Sequence, residues 1–152
     1  MAITGHEARE EILDDLAIAT DLLAVTTASL GEAYDMLSVT SADRMEAGLF
    51  RPAQKAFGRC KRAQAQFASR SGLQSRDPDT PQLGPPSQGA KGFIEAALTA
   101  SVEADRAIAK VQDSDLAIEF GDPELRAGLS EVRSFLHELP GATREFLRTL
   151  GR

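Results

Sequence analysis

A hydrophobic seam with a 3-4-3-4 spacing recurs along most of the chain, and this spacing marks a helix that buries one face against partners. In the first segment the seam is Leu13, Leu16, Thr20, Leu23, Thr27, Leu30, Tyr34 and Leu37, without a skip. The chain around it is rich in Ala, Leu, Glu and Asp and has no proline. Thr4 or Gly5 is placed to open this helix, with acids in the first turns where the helix dipole favours them. The spacing predicts a first helix over about 6–38. The segment Ser38 to Ser41 breaks it, and Ser41 reads as the next N-cap.

A second seam follows in Ala42, Met45, Leu49, Ala53, Ala56, Cys60, Ala63 and Phe67. Proline inside a helix removes a hydrogen bond and clashes one turn back, at about 3 kcal/mol. Pro52 therefore implies a kink, or a helix that begins near Arg51 with a short one before it. Ser71-Gly72 is the natural stop, which bounds the second helix at about 41–71. Residues 73–88 hold four prolines and a glycine and read as a linker. Bundle connections usually run about 2–8 residues, so this one is long enough either to join adjacent helix ends or to cross the fold.

A softer seam in Ile94, Ala97, Ser101, Ala104, Ile108 and Val111 predicts a third helix over about 87–113. Residues 116–121 read as an apolar connector closed by glycine. Asp122-Pro123-Glu124 restarts a helix with a cap, a proline in the first turn and an acid. The fourth seam runs through Leu125, Leu129, Val132, Leu136, Leu139, Thr143, Phe146 and Leu150, with Pro140-Gly141 set to kink or split a helix over about 122–150. No alternating strand pattern and no internal repeat is found. Four amphipathic segments, each unable to hide its stripe alone, predict one all-α domain: an antiparallel up-and-down four-helix bundle with a long Pro/Gly-rich linker between its second and third helices. The 152 residues are enough for one such core without disulfides or metal.

Composition narrows the function classes. Hydrophobic residues make up 42% and charged residues 26%, which excludes a collagen or a wholly disordered chain. The single cysteine, Cys60, has no internal disulfide partner. The start lacks a basic region and turns acidic at once, so a soluble, cytoplasmic protein is expected, with no membrane partner. The formal net charge of −6 argues against a general nucleic-acid binder.

Charge is unevenly placed. Residues 1–40 hold eight acids and one base, whereas residues 41–76 hold eight bases and two acids. On the second helix Arg44, Arg51, Lys55, Arg59, Arg62 and Arg70 fall within a sector of about 100°. This basic stripe either pairs with acidic neighbours in the same molecule or docks an acidic protein, a phosphate-bearing ligand or RNA. The aromatic base readers an RNA surface needs are few beside it. Thr20, Thr27, Cys60, Ser101 and Thr143 put polar atoms into the seams. They are either satisfied by their own helices or line a polar pocket between helices.

Sequence signals for chemistry are sparse. His6 and His137 lack the Glu-x-x-His spacing of di-metal bundles, and there is no CxxC, no HExxH and no phosphate-binding glycine loop. Cys60 sits among alanines in a seam and reads as a small core residue. Glu10-Glu11-Ile12-Leu13-Asp14, followed by Glu32-Ala33-Tyr34-Asp35, resembles the EExxE…ExxD signature of the MazG-like nucleotide pyrophosphohydrolases, with Asp14 in place of the final Glu of the first half. The resemblance implies a helical enzyme in which Glu10, Glu11, Asp14, Glu32 and Asp35 hold magnesium near a nucleotide triphosphate. It requires a turn between residues 18 and 30, whereas the seam predicts one helix with the two acidic groups about 30 Å apart. Arg133 and His137 are similar to the arginine–histidine motif of the HEPN ribonucleases, at a shorter spacing. The reading that follows is a non-enzymatic binding module without a cofactor. It takes a protein partner, itself as a homodimer, or a small ligand in the bundle interior. A magnesium-dependent pyrophosphohydrolase and a nucleic-acid accessory protein are the alternatives.

Overall fold

A computed structural model of the chain describes residues 3–150, and these are all-helical, with no strand among them. Helix α1 spans Gly5–Tyr34, and its cap is Thr4, whose hydroxyl accepts from Glu7 N–H at 3.1 Å. It stops short of the expected Ser38, because Met36 and Leu37 N–H turn back onto the carbonyls of Ala33 and Tyr34 and tighten the last turn. Tyr34 is consequently exposed and Leu37 half-buried.

Helix α2 (Val39–Met45) is capped by Ser38, which accepts from Ser41 N–H, so Ser41 receives no cap role of its own. A π turn over Glu46–Phe50 joins α2 to α3 (Arg51–Arg70) without a break. In this wider turn Arg51 N–H bonds the carbonyl of Glu46, five residues back. The added residue eases the proline ring of Pro52 past the preceding turn, and the helical path continues. α3 ends with Gly72 in the left-handed region (φ +68) and Leu73 N–H on the Ala68 carbonyl, a glycine-stopped terminus.

Residues 73–85 form an irregular strap, and a 3-10 turn at Pro86–Gln88 leads into α4 (Gly89–Gln112). The segment 116–121, expected as a bare connector, instead forms most of a short helix α5 (Asp115–Phe120), because Ser114 caps it by accepting from Ala117 N–H. Asp122 caps α6 (Pro123–His137) as its sequence implies, at 2.7 Å to Leu125 N–H. α7 (Leu139–Leu150) follows after a break at Glu138, so Pro140 sits in a first turn, where a missing N–H is harmless.

The packing fixes the direction of each rod. The most extensive pairings are α1 with α4 and α3 with α6. Thr20 of α1 meets Cys60 and Gln64 of α3. The Phe120 ring lies over the Arg9 guanidinium, which brings the end of α4 and α5 back to the start of α1. Arg70 meets Asp122, so α3 also ends there. Thus α3 and α4 run the same way, and the up-and-down order is overturned. Two helices that share a direction can only be joined by a segment that returns along their length, which is the path of the strap. It covers about 36 Å, the rise of α4 at 1.5 Å per residue.

α1 is the central rod. Beyond the expected seam it buries a second stripe, Ile12, Ala19, Thr26 and Ala33. Among the described residues it is the helix long and apolar enough to cross a membrane, and 56% of that window is buried inside the protein. One continuous cluster fills the interior, with Leu16, Leu23, Met45, Phe67, Phe93, Ile94 and Leu129 at its heart.

Candidate functional site

The acids of α1 do not converge. Glu10, Glu11 and Asp14 lie at one end of an unbroken helix, and Glu32 and the flanking Asp35 at the other. All five are exposed, and Glu10 pairs with His6 at 2.8 Å. Asp14 and Glu32 are separated by a rise of about 27 Å. The turn that a MazG-like magnesium site requires between residues 18 and 30 is absent, so the residues do not fit that ion. No group of three or more metal-ligating side chains is found among the described residues.

The seam hydroxyls do not share a pocket either. Thr20 and Cys60 do come together, at 3.4 Å between Oγ1 and Sγ, and Gln64 Oε1 joins them at 2.9 Å from the same hydroxyl. Thr20 has one proton, which serves the Leu16 carbonyl at 2.9 Å or Gln64, while the hydroxyl oxygen remains free to accept from the thiol. The cluster is closed and fully buried. Burial pushes the Cys60 thiol up, against a smaller opposing pull from the Thr20 hydrogen bond and the Arg59 charge. The thiol is thus shielded from solvent, and its ionisation is disfavoured. The other three are satisfied within their own helices: Thr27 by the Leu23 and Ala24 carbonyls, Ser101 by Leu98 and Thr143 by Leu139. Gln64 was not expected in the interior. Its signal was its position, four after Cys60 and three before Phe67.

The basic stripe divides in two. Arg59 is deeply set against α6, with Nε donating to Glu131 at 2.8 Å, and its side chain is 15% exposed. Gly128 makes room for it, because a Cβ there would sit 3.0 Å from Arg59 Nη2. Arg70 binds Asp122 through two bonds of 2.7 and 2.8 Å. Asp122 is pushed up by burial, but the Arg70 and Leu125 hydrogen bonds and nearby arginines outweigh that and hold it below the ordinary range. The Arg44 guanidinium lies 5.4 Å from the Phe146 ring centroid. Arg51, Lys55 and Arg62 are exposed on one outward face, and none of them has an ion-pair partner among the described residues. Gly58 lies between Lys55 and Arg62 on that face, and a Cβ there would meet nothing within 4 Å.

Two of the surface grooves bear on the remaining candidate residues and on the strap. A groove of about 430 Å³ between α4 and α6 brings Arg133 and His137 together with Ser101. Arg133 is engaged there by Asp105, at 3.0 and 3.4 Å, and by Gln112 at 3.0 Å, which makes it a cross-link between the two helices. The second groove, about 540 Å³, lies between α1, α3 and the strap. The strap is held by Asp21, which accepts from Arg76 at 2.6 and 3.1 Å and from Asp79 N–H at 3.0 Å. The Arg76 hydrogen bond is the main reason that the Asp21 carboxyl lies below its ordinary range.

Comparison with known protein families, curated proteins and solved structures returns no match.

Proposed function

We propose that the protein is a cytoplasmic, non-enzymatic binding module that needs no cofactor. In this reading it is a bundle of four helical rods (α1, α2–α3, α4 and α6–α7) that docks an acidic protein surface on the outer face of α3, and the partner is a second copy of the chain. The observation that carries the reading is the division of the basic stripe. Arg44, Arg59 and Arg70 are used inside the molecule, and Arg51, Lys55 and Arg62 are left facing outward around the bare backbone of Gly58.

The acidic face of α1 supports self-association. Glu7, Glu11 and Asp14 are exposed at spacings of four and three. The seven-residue interval from Glu7 to Asp14 equals that from Lys55 to Arg62, about 10 Å each, and Arg51 extends the cationic row by one further turn. Gly58 lowers the relief between the cations and lets a second rod come close. Opposite charges steer such an encounter and fix its register. The buried free thiol of Cys60 supports a reducing compartment.

Sizing in solution at several concentrations and salt levels tests this. A dimer that weakens with salt is expected. Triple reversal to Glu at Arg51, Lys55 and Arg62 should give a monomer, as should reversal to Lys at Glu7, Glu11 and Asp14. Mixing the two reversed proteins should restore a dimer. A monomer at every concentration, or a dimer indifferent to both reversals, rejects the reading. Steeply salt-dependent RNA binding lost on Lys55→Ala and Arg62→Ala would replace it with the nucleic-acid alternative.

A further inference from the structure

We propose that the pocket between the end of α1 and the π turn is a binding site for a quaternary ammonium group. This site is independent of the outward face of α3. Gly31 and Tyr34 line it from α1, and Glu46 and Phe50 line it from the π turn. The members of each pair are about one helical turn apart and share a face, and the two faces meet because the π turn packs against α1. Tyr34 is 40% exposed and within reach of a ligand, whereas Phe50 is half-buried and forms a fixed wall. A Cβ on Gly31 would meet nothing within 4 Å, so the space beside its backbone is open. The volume of about 320 Å³ is at the small end of the range that holds small molecules, which suits a compact head group.

The lining selects a cation. Aromatic rings attract positive charge to their faces, and Glu46 adds a carboxylate. No base lines the pocket, and no Lys, Arg or His side chain lies within ion-pair distance of Glu46 among the described residues. The two arginines nearest in sequence are placed elsewhere: Arg44 lies over the Phe146 ring, and Arg51 is exposed on the outward face of α3. Residues 31–50 hold four acids and one base, so the field around the site is negative as well. A primary ammonium is strongly hydrated and needs hydrogen-bond acceptors, and the lining side chains offer it the Glu46 carboxylate and the Tyr34 hydroxyl. A methylated ammonium donates no hydrogen bond and is satisfied by ring faces and one carboxylate, which is the composition of this pocket.

Tyr34 is the single tyrosine of a chain without tryptophan, so its emission reports on the pocket directly. Choline and 3,3-dimethyl-1-butanol, which has the same shape without the charge, are titrated against the folded protein at constant ionic strength. Choline should bind saturably and about tenfold more tightly than the neutral alcohol, the factor expected of two ring contacts and a carboxylate. Glu46→Gln should lower that preference severalfold and leave alcohol binding unchanged, whereas Asp43→Asn, an exposed acid outside the pocket, should leave the preference intact. Gly31→Ala, which fills the open space, and Phe50→Leu should weaken both compounds. Thermal melts of Glu46→Gln and Asp43→Asn that superimpose on the parent establish that the effects are local. A parallel titration with the amide of acetylated trimethyllysine separates the sources: tighter binding than choline assigns the pocket to a methylated side chain of a partner, and weaker binding assigns it to a free small cation. No saturable response to either cation, or a choline preference that survives Glu46→Gln, overturns the proposal.

Discussion

Asp21 holds the strap through three hydrogen bonds, two from Arg76 and one from the Asp79 backbone. Asp21→Asn removes the charge and one good acceptor, and should cost about 1 kcal/mol, as for other partly exposed ion pairs. Urea denaturation measures that cost, and faster tryptic cleavage after Arg76 reports the freed strap. The pH dependence has a definite sign. The folded-state carboxyls of Asp21 and Asp122 both lie below their ordinary value. Their contribution is complete above the unfolded-chain value near 4 and is lost as pH falls through the depressed folded values. Melting temperature should therefore fall below about pH 4, and the fall should be shallower in Asp21→Asn. Cys60 makes a contrasting prediction. Because its thiol is buried and its ionisation suppressed, a disulfide reagent should modify it in urea and leave the native protein nearly unmodified at pH 8.

Two glycines show how the elements approach each other. Gly128 lies on α6 where α3 crosses it, and a Cβ would press on Arg59 and stand 3.2 Å from the Ala63 methyl. Gly128→Ala should destabilise by about 1–3 kcal/mol, the usual penalty for overpacking, because helix and guanidinium must both move. Gly58 lies in the middle of α3 with open space around its Cα. Gly58→Ala should stabilise the monomer by about 1 kcal/mol through helix propensity alone. Thermal or urea unfolding of the pair would show opposite signs. Both are helical glycines in sequence, and nothing in the seam spacing separates them; the distinction depends on which neighbour crosses at that position. The same holds for Pro52 and Pro140. Each forces a local change of helix, yet the π turn keeps α2 and α3 continuous while the break at Glu138 divides α6 from α7.

For the whole molecule the decisive feature is the shared direction of α3 and α4. The strap must reach from Arg70 at one end of the molecule to Gly89 at the other. Deleting residues 74–85 would leave about seven Cα steps, roughly 25 Å at most, against a span of about 36 Å. The deletion should abolish cooperative thermal unfolding, followed by circular dichroism. In an up-and-down arrangement the same deletion would be harmless, because the helix ends would be neighbours.

The chain's pattern by itself determined the helices. Apolar spacing, Thr4, Asp122, Gly72 and the prolines act within a few residues of themselves, and so the extents of α1, α3, α4 and α6 were legible to within a few positions. The burial of Thr20 and Cys60 was legible for the same reason. Tertiary structure alone decided the order of the rods, because a flexible proline-rich segment is compatible with either a short or a long return. It also decided the fate of each charge. Seven residues of helix separate Lys55 from Arg62 whether or not a carboxylate lies opposite, and only the crossing of α6 over α3 makes Arg59 an internal pair and leaves those two in solvent. Glu10, Glu11, Asp14, Glu32 and Asp35 were readable as a motif in one dimension. An unbroken helix separates them in three, since backbone hydrogen bonds hold a fixed rise per residue and no side chain spans that distance.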